Sequence, residues 1–202
     1  MSLDYIISFA VSLLATLIVM PILIPFLHKI KFGQVEREEG LASHKAKGGT
    51  PTMGGIGFVL VSLIVTLILR PHAFLSTEML IVILAYLGYG LIGFIDDFII
   101  VVKKNNEGLK PSYKFALQSV LAILFYCLYQ SVAQTTLYLP VLHITWEMGL
   151  LYFALIFIMF TAETNAVNFT DGLDGLCAGT SLIALFPYII FALLQENYDL
   201  AI

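Results

Sequence analysis

Charge is scarce in this 202-residue chain: 12% of its residues are Asp, Glu, Lys or Arg, against roughly 25% in ordinary soluble domains. With 59% hydrophobic residues and a mean hydropathy of +0.94, this excludes a soluble globular domain, which would lack polar surface to cover such a core. Two cysteines, Cys127 and Cys177, both lie in apolar runs. They read as small packing residues rather than a disulfide framework. The four histidines, His28, His44, His72 and His143, are scattered and show no metal-ligand spacing. Low-complexity linkers and internal repeats are also missing, so residues 1–202 are expected to form one domain. The first apolar run carries Asp4 in place of a basic leader, is too long for a signal peptide and has no small-residue cleavage site.

What the chain has instead is apolar sequence in blocks. Six runs near the roughly 20 residues that a bilayer needs cover about Leu3–Leu27, Thr52–Leu69, Glu78–Ile95, Tyr113–Val132, Met148–Val167 and Leu176–Gln195. The expected fold is an all-α integral membrane protein, a polytopic helical bundle of about six transmembrane helices. Of ten Lys and Arg, Lys29, Lys31, Arg37, Lys45 and Lys47 follow the first run. Lys103, Lys104, Lys110 and Lys114 follow the third, and Arg70 alone falls on the opposite side. The positive-inside rule then predicts both basic loops in the cytoplasm and the N-terminus outside. Between runs four and five, Thr135–Thr145 alternates in a β-prone pattern around Pro140 and is expected to form a small hairpin.

Polar residues beside hydrocarbon are expensive and usually functional, and three groups stand out. Asp96-Asp97 closes the third apolar run. Two adjacent carboxylates there repel each other and face an unfavourable helix C-terminal dipole, costs that Mg²⁺ or a lysine would relieve. Neighbours on a helix point about 100° apart, so one aspartate can face a metal while the other meets a lysine. The alternative is simple interfacial solvation. The second group, Asn165, Asn168, Asp171 and Asp174, repeats every three residues before the sixth run. The breakers Gly172 and Gly175 suggest that Asp171 and Asp174 sit at that helix's positive N-terminal dipole. Capping alone would need one Asp, not two Asp and two Asn.

The third group is Lys45, Lys47, Thr50 and Thr52, leading into Gly54-Gly55-x-Gly57. A helix N-terminus with threonines, glycines and lysines suits a phosphate, although the glycines would serve close helix packing equally well. It is not a Walker loop, since no Gly-Lys-Ser/Thr follows a strand. Glu163 reads as an interfacial partner for a lysine. Topology brings the three groups to one membrane face, a combination suited to a phosphate or diphosphate, because phosphoryl transfer is mainly positioning and charge neutralisation. An ion pathway or transporter is the rival class, though it would expect acids near mid-bilayer or on both sides. A third reading is a non-catalytic membrane subunit.

The segments His44–Gly55 (H-K-A-K-G-G-T-P-T-M-G-G), Gly93–Phe98 (G-F-I-D-D-F) and Asn165–Leu176 (N-A-V-N-F-T-D-G-L-D-G-L) resemble the polyprenyl-phosphate N-acetylhexosamine-1-phosphate transferases. Within them the wording is most similar to the phospho-N-acetylmuramoyl-pentapeptide transferases. A related GlcNAc-1-phosphate transferase is the alternative. The resemblance implies a bacterial multi-pass inner-membrane enzyme, with its active site on the cytoplasmic face. It would transfer phospho-MurNAc-pentapeptide from UDP-MurNAc-pentapeptide to undecaprenyl phosphate with Mg²⁺, forming lipid I and UMP in peptidoglycan synthesis.

The resemblance also implies that Asp96 and Asp97 are catalytic and hold metal. Lys47, Thr52, Asn168, Asp171 and Asp174 would bind substrate, with Lys45, Thr50 and Lys103 as further phosphate contacts. The lipid bilayer is the expected surrounding, a homodimer is an open option, and no nucleic-acid partner is expected. Two departures stand out. Ile99 and Ile100 occupy positions where the family commonly has basic residues, and the family has ten spans. A third catalytic aspartate, the main metal ligand, would come from the second half, so the 1–202 domain is expected to be incomplete at its C-terminus.

Overall fold

The computed structural model describes residues 3–29, 52–103, 107–171 and 175–195. Within them lie six α-helices: α1 (Leu3–Lys29), α2 (Gly55–Leu69), α3 (Thr77–Lys103), α4 (Pro111–Tyr129), α5 (Leu150–Thr170) and α6 (Leu176–Leu194). One antiparallel ribbon, β1 (Thr136–Leu139) with β2 (Ile144–Glu147), joins α4 to α5. The expected hairpin is therefore present. The chain is an all-α polytopic membrane protein. By length and composition, α1, α3, α4, α5 and α6 are long and apolar enough to cross a bilayer. The second predicted run, Thr52–Leu69, folds as the shorter α2, of 15 residues, about 22 Å at 1.5 Å per residue.

Helix ends follow local chemistry. Arg70 precedes Pro71, which disfavours helical backbone at Arg70, and its φ of −138° ends α2. A 3₁₀ turn, Pro71–Leu75, follows. Ser76 caps α3, its Oγ accepting from the Met79 N–H at 3.1 Å. Pro111 opens α4 at the first helical position, where its missing N–H costs nothing. Gly175 precedes α6 with φ +79°, a left-handed conformation that glycine adopts without strain. Pro21 and Pro25 lie inside α1, as membrane helices tolerate.

One end departs from expectation in a way that matters for the site. The third run was expected to end near Ile95, but α3 continues to Lys103. Phe98-Ile-Ile-Val-Val extends the apolar helix-compatible sequence past the acids. Asp96 and Asp97 thus sit inside the helix, more than a turn from its end, where the C-terminal dipole has faded.

The helices form two compact units. One is built on α1, α2 and residues 90–114, the other on residues 74–89 and 115–195. In the first, α1 and α2 pack closely at Gly57, where a Cβ would lie 2.6 Å from Met20 Sδ and 2.8 Å from Leu23 Cδ2. Packing is thus what the structure shows for this glycine.

The second unit is held by an aromatic seam. Phe125 meets Phe160 edge-on at 4.6 Å, Tyr89 stacks on Phe160 at 5.2 Å, and Tyr126 meets Phe153 at 5.1 Å. Tyr129 and Tyr152 share a 3.0 Å hydrogen bond. Gln118 is buried on α4, where an unpaired amide would be costly; its Oε1 accepts from Asn165 Nδ2 at 3.2 Å. Cys127 and Cys177 carry free thiols.

Candidate functional site

In the first unit each aspartate of the pair accepts a backbone N–H, one from the turn before α4 and one from the turn that opens α2. The turn before α4 returns beneath α3, so that the Leu109 N–H donates to Asp96 Oδ1 at 2.7 Å. From the first turn of α4, Lys114 Nζ reaches Asp96 Oδ2 at 2.8 Å, with the lysine and aspartate side chains 18% and 15% exposed. Charge-assisted hydrogen bonds of this length are roughly twice as strong as neutral ones. Gly108 lets the turn come this near: a Cβ there would overlap Asp96 Oδ1 and lie 3.0 Å from Asp96 Cγ.

Asp97 points to a different element. Its Oδ2 accepts from the Met53 N–H at 3.2 Å, in the turn that opens α2. Met53 has φ +68°, left-handed backbone that costs a non-glycine residue about 1–2 kcal/mol. The bond to the carboxylate offsets that cost. Next to it, Thr52 Oγ1 is buried and has no hydrogen-bond partner. Of the expectation that one aspartate meets a lysine while the other faces a metal, the structure shows the first part, with Asp96 as the partner of Lys114, and gives Asp97 the Met53 N–H.

The structure thus brings together Asp96, Asp97 and the Thr52–Met53 turn. Lys103, the last residue of α3, is exposed. Lys45, Lys47, Thr50 and Asp174 lie outside the described residues. In the second unit, Asn168 is exposed on α5, and Asp171 is exposed where that helix ends, its N–H bonding the Val167 carbonyl at 3.2 Å. This corrects the expectation that Asp171 opens the sixth helix. Asn168-Phe-Thr continues α5 to Thr170, and the first turn of α6 contains no acid. Asn165 is tied down, donating to Gln118 and to the Thr161 carbonyl at 2.7 Å.

The residues singled out in the sequence missed Lys114, Gly108 and the backbone N–H groups of Leu109 and Met53. A Gly108-x-x-Pro111 turn signal was there to be read. Nothing in residue type announces Met53. Gln118 was legible as a lone amide in an apolar run.

A divalent cation can be tested against these groups. No cluster of three His, Cys, Asp or Glu side chains occurs among the described residues, so they do not form an all-protein cage. Mg²⁺ commonly takes only one or two carboxylates, completing its octahedron with water and substrate phosphates. Asp97 beside the orphaned Thr52 hydroxyl fits that mode, whereas both oxygens of Asp96 already accept from Leu109 and Lys114.

Residues 79–202 match the model of glycosyl transferase family 4. The chain is 46% identical over 200 residues to the phospho-N-acetylmuramoyl-pentapeptide-transferase of Geobacillus sp. (strain WCH70), covering 98% of this chain and 61% of the relative. It is 45% identical over 192 residues to the protein of that name from Bacillus subtilis (strain 168), covering 94% of this chain and 59% of the relative. The chain therefore spans about three fifths of the length of the curated relatives it matches.

Proposed function

Because the chain belongs to glycosyl transferase family 4, we propose that it serves the transfer of phospho-MurNAc-pentapeptide from UDP-MurNAc-pentapeptide to undecaprenyl phosphate. The products are UMP and lipid I. The observation that supports this most is the 45–46% identity to the named relatives over at least 94% of the chain, which takes in the three polar segments. In this reading the acceptor phosphate oxygen bonds to the sugar-bearing phosphorus, and the phosphoanhydride bond to UMP breaks. A phosphate monoester has a second pKa of about 6. The acceptor is therefore largely dianionic at neutral pH, and attack needs no general base.

Asp96 is committed to Lys114 and Leu109. We assign it to fixing the geometry of the turn and the lysine against which the phosphates bind. Asp97, next to Thr52 and Met53, is assigned to hold Mg²⁺. When bound, the ion would neutralise diphosphate charge and stabilise the leaving UMP. Lys45, Lys47, Thr50, Thr52, Lys103, Asn168, Asp171 and Asp174 are proposed to bind the nucleotide and its phosphates at the cytoplasmic face.

The test is transfer of radiolabelled phospho-MurNAc-pentapeptide into the lipid phase, in detergent, with and without undecaprenyl phosphate and Mg²⁺. It is run on this chain alone and on the chain joined to the C-terminal remainder of the Bacillus subtilis relative. Lipid-phase label that requires both additions is expected from the joined protein. Absence of transfer from both proteins would end the proposal, and label from UDP-GlcNAc instead would move it to the related sugar.

A further inference from the structure

The β1–β2 ribbon has one wholly apolar face. Leu137 pairs with Trp146 and Leu139 with Ile144, whereas Thr136 pairs with Glu147 and Tyr138 with Thr145. Side chains alternate along a strand, so the two leucines, Ile144 and Trp146 share a side and the polar residues take the other. Ile144 and Trp146 are 51% and 47% exposed, and at the tip Val141 and Leu142 are 90% and 62% exposed. A two-stranded ribbon is marginal in water at best, and this one leaves Ile144, Trp146 and its tip exposed while Leu137 and Leu139 are half-buried.

Charge and position select the occupant. Between Lys114 and Glu147 there is no Asp, Glu, Lys or Arg, although a solvated hairpin ordinarily carries some. Both ends of the ribbon are tethered within a few residues of apolar helices. Met148 N–H bonds to the Thr135 carbonyl at 3.0 Å, and the Tyr126 hydroxyl donates to the Gly149 carbonyl at 3.4 Å. The apolar side of the ribbon is thus continuous in sequence with spans α4 and α5. Depth is set by the backbone. A two-stranded ribbon leaves its outer N–H and C=O groups unpaired, which the hydrocarbon core does not tolerate but hydrated headgroups do. Tyr and Trp are the side chains favoured at that level.

We infer that the ribbon lies in the membrane–water interface, with its apolar face and tip seated at the boundary between headgroups and acyl chains. This seating does not depend on the transferase reading. The chain carries its own reporter, since Trp146 is its one tryptophan.

The test reconstitutes the chain in phosphatidylcholine vesicles with acyl chains brominated near the glycerol or near the methyl end. Bromine near the glycerol should remove about half of the Trp146 emission, bromine near the methyl end much less, and aqueous iodide little, as an interfacial ring requires. Full quenching by iodide with none by bromine would place the ribbon in water and overturn the inference. Protection from both would show protein covering it, a second copy included, and would also overturn it. The double variant V141D/L142D should gain iodide quenching and lose bromine quenching; unchanged quenching would remove the tip from the argument. If that variant does not fold, the unsubstituted chain still decides.

Discussion

Gly108→Ala is the sharpest perturbation of the acidic site, because it changes one methyl group and no charge. The added Cβ would overlap Asp96 Oδ1 and sit 3.2 Å from the Asp96 backbone oxygen. The carboxylate can rotate away, whereas the backbone oxygen cannot, so the turn and the side chain must separate. Separation gives up the Leu109 N–H bond and loosens the Lys114 contact. A hydrogen bond to a charged group contributes about 1.5–3 kcal/mol. Water recovers part of this, which leaves a loss of about 2 kcal/mol, or roughly 30-fold in a rate or an opening equilibrium.

Two assays read this perturbation. Hydrogen exchange at the Leu109 amide should quicken by about that factor, and transfer in the joined protein should slow by about as much. Gly90→Ala is the control: it lies in α3 with Asp96, has nothing within 4 Å of its Cβ and should change neither. Unchanged exchange in Gly108→Ala would refute the geometry. Faster exchange with unchanged transfer would keep the geometry and refute a role for Asp96 in the reaction.

Three further outcomes are expected. Lys114→Met should reduce transfer about tenfold or more by stranding Asp96, and Lys114→Arg should restore most of it; equal rates for Met and Arg would show that the cation is not needed. Asp97→Asn should raise the Mg²⁺ concentration for half-maximal transfer about tenfold, because a neutral amide is a poorer ligand for a hard cation. Asp96→Asn should shift it far less, and the reverse order would exchange their assigned roles. Gly57→Leu should lower the thermal midpoint in detergent, by overpacking worth about 1–3 kcal/mol against Met20 and Leu23. Gly179→Ala, with nothing within 4 Å, should leave it unchanged.

Much of the fold was legible because a bilayer leaves few choices. Apolar runs of spanning length become helices, and Thr135–Thr145 announced a ribbon through alternation and Pro140. Helix ends were harder. The third run was cut at the acids, but Phe98–Val102 carries α3 onward, since two charges do not stop a helix whose following residues still favour one. Asp171 was misplaced for a related reason. The glycines after it signal the start of the next helix, while Asn168-Phe-Thr still completes the previous one.

The site was legible in its acids and only partly in what holds them. That a lysine would meet one aspartate followed from helix geometry, but which lysine depended on where a turn returns, information spread over residues 107–114. Met53's contribution is a backbone N–H, and any residue type could have supplied it.

The partner of Asp96 is close by in chain order: Lys114 is made soon after it, at the start of the next helix. A carboxylate entering a membrane bare carries a penalty of a few kcal/mol. Here the compensating ammonium arrives with the same helical hairpin, so the acid can be neutralised during insertion, before α5 and α6 have been synthesised. An aspartate that waited for a distant cation would have to cross that stage uncompensated. Local pairing therefore lets an acid be built into an apolar helix without carrying that penalty through insertion.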